Sequence, residues 1–120
     1  MIKIYNIYLF KNEELEKEYK EIKTIDKDGK IIFKIDDIKT TINKDEIIRE
    51  NNEYKFYLNI PKKNSYYILK SHNLSYDITV EKAQIKRINN EIIINYKIET
   101  NDEEITIKIV ERMWYYASFY

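Results

Sequence analysis

Over residues 54–80 apolar and polar side chains alternate through three runs, YKFYLNI, SYYILKS and LSYDITV, broken by PKKN and by His72-Asn73. A period of two between turn-forming residues is the mark of half-buried strands. Residues opposed across a hairpin share one face of the sheet, so each turn fixes the parity of the next strand. A loop at 61–64 opposes Ile60 with Ser65, Leu58 with Tyr67, Phe56 with Leu69 and Tyr54 with Ser71. A turn at His72-Asn73 opposes Ser71 with Leu74, Leu69 with Tyr76, Tyr67 with Ile78 and Ser65 with Val80, which keeps the same face. The other face receives Lys55, Asn59, Lys70, Ser75, Asp77 and Thr79, with Tyr57, Tyr66 and Ile68 as apolar exceptions.

The rest of the chain continues that phase. After a turn at 26–29, which holds the one glycine, Asp36-Asp37 opposes Ile35 with Ile38, Phe33 with Thr40 and Ile31 with Ile42. Lys44-Asp45 opposes Thr40 with Arg49, and Asn51-Asn52 opposes Arg49 with Tyr54 and Ile47 with Phe56. A turn at Glu81-Lys82 opposes Val80 with Ala83 and Tyr76 with Arg87, and one at Asn89-Asn90 opposes Arg87 with Ile92 and Ala83 with Tyr96. Asn101-Asp102 then opposes Ile98 with Ile105 and Ile94 with Ile109. Nine short strands in one phase predict an all-β fold, a single antiparallel up-and-down barrel over residues 1–112, since closure removes the two edges of so wide a sheet. The closing partner is the strand at 2–10, whose inward parity is unreadable because both its faces are apolar. Beyond it two readings stand open: Asn12 can cap a helix lined by Leu15, Tyr19 and Ile22, or residues 18–25 form a strand. The end of the chain, MWYYASFY at 113–120, is an aromatic tail that packs on the barrel or into an interface; Trp114, Tyr115, Tyr116, Phe119 and Tyr120 are candidate contacts in a homodimer or with a partner.

The order of segments resembles the YwiB-like family of uncharacterised small bacterial proteins with a calycin-like β-barrel. The likeness runs from Ile2 to about Val110 and is carried by KTIDKDGKIIFKIDD, the Thr40-Thr41 pair, IIRENN, YKFYL and the run YYILKSHNLSYDITV before EIIINYKIE. It implies a strand at 18–25 in place of the helix, and it implies no activity.

Composition supports strands and narrows the partners. Isoleucine is about a fifth of 120 residues and there are twelve tyrosines, a β-branched and aromatic bias that favours sheet. Twenty-one basic and twenty-one acidic residues alternate without clustering, which argues against nucleic acid or an anionic membrane as partner. No cysteine is present, no apolar run reaches membrane-spanning length and the amino terminus lacks the pattern of a signal peptide, so the expected location is the cytoplasm.

Candidate chemistry is sparse. One glycine excludes a phosphate-cradling loop, and a single histidine without cysteine gives no metal centre, so neither cofactor nor metal is expected. Ser71, His72 and Asp77 do not make a triad, because Asp77 belongs to the outer face. Glu99 opposite Glu104 reads as a solvated pair, and no residue is assigned a catalytic role. The anomaly is inside: Arg49 and Arg87 are the charged residues of the inward face over 31–109, and the predicted register brings both to one barrel end. Arg49 shares its row with Thr40, Tyr54 and Ser71, and Arg87 lies one row further in, beside Tyr76. A guanidinium in such a place must reach solvent, loop carbonyls or an anion. Two functions follow. Either the mouth binds a small anionic or amphipathic molecule, with Arg49 and Arg87 as charge partners and Thr40, Tyr54 and Tyr76 beside them, or the barrel is a filled, non-enzymatic interaction module acting through its aromatic tail.

Overall fold

The chain reverses where its residues tolerate a left-handed backbone. Asn12 and Glu13 have φ of 50° and 69°, Asp28 and Gly29 of 53° and 76°, and Asp36 and Asp37 of 50° and 67°, the two-residue turns whose twist suits the flanking strands. The computed structural model describes residues 2–99 and 102–112. These form β1 (Ile2–Lys11), β2 (Glu14–Lys27), β3 (Lys30–Ile35), β4 (Ile38–Ile42), β5 (Glu46–Glu50), β6 (Tyr54–Asn59), β7 (Asn64–Leu69), a single 3-10 turn (Lys70–His72), β8 (Leu74–Ile88), β9 (Glu91–Ile98) and β10 (Glu104–Glu111). Consecutive strands pair antiparallel and β10 pairs β1, from Tyr5 opposite Glu111 to Lys11 opposite Ile105. The described residues thus make a closed up-and-down barrel, as the alternation predicts, of ten strands; the nine strands expected in one phase are eight, β3 to β10. Among them no helix is long and apolar enough to cross a membrane.

Residues 14–27 are strand, so the helix capped by Asn12 does not form. Two irregularities in the β1–β2 ladder, between Tyr5 and Ile7 and between Leu9 and Phe10, each place an extra β2 residue against β1. Glu21 sits in the first with φ 57°, and its amide donates to Asn6 Oδ1 at 2.9 Å. A bulge reverses the alternation. Tyr19 and Ile22 therefore both pack against the core at a spacing of three that imitates a helical stripe, while Leu15 is exposed.

The turn predicted at Glu81-Lys82 is absent, and a bulge between Val80 and Lys82 lets β8 run straight through. A two-residue turn and a one-residue bulge both leave positions three apart, here Val80 and Ala83, on the same face. The sequence pattern alone does not separate them. Elsewhere β3–β4 and β4–β5 keep the predicted register, with Ile31 opposite Ile42 and Thr40 opposite Arg49. β5–β6, β6–β7, β7–β8 and β9–β10 are shifted by two: Arg49 faces Phe56, Leu58 faces Ser65, Leu69 faces Leu74 and Ile94 faces Ile107. At β5–β6 the cause is Asn51, whose Oδ1 accepts the amides of Glu53 and Tyr54 at 2.8 and 3.0 Å and widens the turn. An even shift leaves every side chain on its own face.

The interior is packed through its middle, where Ile42, Ile47, Leu58, Ile94 and Ile109 are almost wholly buried; each such side chain contributes on the order of 1.5–3 kcal/mol. Toward the Asp28-Gly29 end it is stoppered by polar groups. Lys3 Nζ lies 3.4 Å from both Asp26 Oδ2 and Glu111 Oε1, and the Tyr5 hydroxyl donates to Asp26 at 3.5 Å. Burial works to lower the Lys3 pKa, but Glu111, Tyr5 and Asp26 together raise it above the ordinary value. Burial pushes the Tyr5 phenol up to about 12.

Candidate functional site

The opposite end of the barrel is open, because its wall is split. β2 and β3 pair only at Ile25–Ile32, Asp26–Ile31 and Lys27–Lys30, although β3 continues to Ile35 and β2 reaches back to Glu14. The bulge at Glu21 lies four residues before Ile25, where the pairing ends, and a bulge bends its strand and strengthens its twist. The strands diverge into a cleft that leads to a cavity of about 140 Å³. Ile7, Leu9, Phe33, Ile42 and Ile107 form its apolar walls; Thr40 and Arg49 are its polar lining, with Lys17 and Asp36 also on its border. A second cavity, of about 340 Å³, is lined by Arg49, Tyr54, Phe56, Tyr67, Tyr96 and Glu103.

Arg49 borders both cavities. It is half-buried, in a row with Thr40, Phe56, Tyr67 and Tyr76. Its guanidinium has no hydrogen-bond or ion-pair partner among the described residues, whereas Lys3, Lys11 and Lys70 all have acids within reach. The rings around it are held by one another: Tyr54 stacks on Tyr67 at 5.5 Å and 14°, and Phe56 on Tyr96 at 6.0 Å and 30°. Burial raises the pKa of the Tyr96 hydroxyl, and the positive charge of Arg49 opposes that rise. The arrangement offers one fixed cation between an apolar pocket and an aromatic mouth. It can hold an anionic head group by two parallel N–H···O bonds while an apolar tail fills the pocket.

Of the residues singled out in the sequence, the structure brings Arg49, Thr40 and Tyr54 to this end. Arg87 is at the other. Because β8 does not turn at Glu81-Lys82, residues 83–88 carry on in the direction of residues 74–80, and Arg87 arrives beside Asn89-Asn90, donating to the Asn43 carbonyl at 2.7 Å. Tyr76 faces Tyr67 but lies where β8 has passed beyond β9; it is half exposed and lines neither cavity. The Ser71 hydroxyl contacts His72 Nδ1 at 2.8 Å on an exposed turn, and Asp77 opposes Tyr66 on the outer face. Glu104 does not meet Glu99: it lies opposite Lys97 and bonds Lys82 at 3.0 Å, which, with Asn95, holds its carboxyl below the usual range. Trp114, Tyr115, Tyr116, Phe119 and Tyr120 lie outside the described residues. Among the described residues no three His, Asp or Glu side chains converge as metal ligands.

Sequence reading missed the β1–β2 wall of the site. Leu9, Lys17 and Tyr19 line it, and their inward parity is hidden by the two bulges. The usable signal is Glu16-Lys17-Glu18, where a basic residue between two acids alternates in phase with Tyr19. No family model matches this chain, and no curated protein matches it.

Proposed function

We propose that the protein is a small-ligand-binding barrel, stoppered at the Lys3–Asp26–Glu111 end and open at the cleft between β2 and β3, with Arg49 as the polar anchor. One observation carries this reading: a half-buried guanidinium without a partner among the described residues stands between two cavities at the open end of the barrel. A desolvated, unpaired charge costs free energy that a bound anion recovers. Barrels of about this strand number have room for one small molecule. The resemblance to the YwiB-like family adds the expectation of a calycin-like barrel and nothing about the ligand. A cytoplasmic location is part of this proposal, supported by a chain without cysteine, which suits a reducing compartment. The experiment is a fragment screen followed by isoleucine and leucine methyl NMR. Ligands that shift Ile7, Leu9 and Ile107 together, and lose that effect in Arg49→Met, support the reading. A screen in which no fragment moves those methyl groups removes it.

A further inference from the structure

Charge and volume at the cleft narrow the ligand further, given the reading that the cavity is a binding site. The 140 Å³ pocket is close in size to the cavities of roughly 150 Å³, lined by aliphatic and aromatic groups, that accept benzene. Its border carries Arg49 and Lys17 against Asp36, an excess of one positive charge. The outer cavity adds Glu103, whose charge is offset by Lys11 at 2.8 Å, so the excess stays at one. A phosphate dianion or a dicarboxylate would exceed that positive charge by one and set the surplus beside Asp36. A neutral molecule would leave the guanidinium unpaired. A planar carboxylate matches the guanidinium fork and leaves neither defect.

We propose that this site binds a monocarboxylate with a compact apolar tail about the size of a six-membered ring, the carboxylate on Arg49 and the ring against Ile7, Phe33 and Ile107. Thr40, buried in the same pocket, supplies a hydroxyl beside the head group. The head group is therefore fixed by Arg49 with Thr40 beside it, and the tail by shape.

The test is calorimetric titration with four probes, sodium benzoate, benzyl alcohol and disodium phthalate, which share one aromatic ring, and inorganic phosphate, against wild type, Arg49→Met and Arg49→Lys. Benzoate is expected to bind wild type at least tenfold more tightly than the other three. Arg49→Met should lose at least tenfold for benzoate and stay within twofold for benzyl alcohol, and Arg49→Lys, which keeps the charge but not the fork, should fall between. Equal binding of benzyl alcohol and benzoate to wild type overturns the carboxylate assignment while leaving the cavity as a site. Tighter binding of phthalate or phosphate overturns the single-charge argument. Binding of none of the four, in protein whose methyl spectrum is folded, overturns the proposal, and the fragment screen then decides whether the cavity binds anything else.

Discussion

Replacing Arg49 by methionine should stabilise the protein, which is an uncommon sign for a large substitution. The guanidinium is half-buried among Phe56, Tyr67 and Tyr96 and has no partner among the described residues. Methionine follows the arginine side chain as far as Nε and removes the charged group. The arginine stem already buries most of the methylenes that methionine would, so the added apolar burial is that of about one methyl group, about 0.4 kcal/mol at half burial. Relief of the partial desolvation of an unpaired cation adds up to roughly 1 kcal/mol more. The expected gain of about 0.5–1.5 kcal/mol corresponds to a rise in Tm of about 2–6 °C for a domain of this size. Arg87→Met is the control with the opposite sign: it is exposed and deletes the 2.7 Å bond to the Asn43 carbonyl, a loss of about 0.5–1 kcal/mol. Urea unfolding followed by circular dichroism reads both as shifts in midpoint at unchanged slope. An Arg49→Met protein less stable than wild type by about 1 kcal/mol or more, with the slope unchanged, would refute the reasoning. It would mean that Arg49 is held by the fold and not left for a ligand.

Other consequences can be measured on the same footing. Gly29→Ala should cost about 1 kcal/mol although an added Cβ meets nothing within 4 Å, because φ of 76° is the whole penalty; Gly29→Asn should recover most of it in the same urea assay. Ile94→Ala, at a side chain with no exposed surface, should cost about 2–5 kcal/mol, and a loss under about 1 kcal/mol would show that the interior is loosely filled there. Tyr5 predicts an alkaline limit. Its phenol ionises at about 12 in the fold and near 10 when unfolded, so the unfolded chain loses its proton first; the contribution is complete below pH ~10 and is lost as pH rises toward ~12. Tyr5→Phe should flatten the fall in unfolding midpoint over that window, and an unchanged profile would assign the transition to other tyrosines.

Much of the barrel was legible because hairpins conserve parity. Ile47 was expected opposite Phe56 and stands opposite Leu58, yet Ile47, Phe56 and Leu58 all remain on the inner face, since turns of two and four residues differ by an even number. A spacing of three was not legible. Tyr19 to Ile22 and Val80 to Ala83 each allow a bulge, a tight turn or, for the former, a helix, and the hydrophobic pattern is the same for all of them. Choosing the turn at Glu81-Lys82 reversed the direction of residues 83–88 and carried Arg87 to the wrong end. Choosing no register for β2 hid Lys17 and the cleft. The one strong clue to the site, a charged residue at an inward position, survived both errors because Thr40 opposite Arg49 depends only on the short turn at Lys44-Asp45.

The wall that closes at one seam and parts at another can be tested by long-range nuclear Overhauser effects between backbone protons. Closure requires a continuous series linking Tyr5 through Lys11 on β1 to Glu111 through Ile105 on β10, and the cleft requires that the β2–β3 series stop at Ile25 and Ile32. Missing β1–β10 contacts, or a β2–β3 ladder that continues past Thr24 and Phe33 to seal the opening, would contradict the barrel and its site respectively.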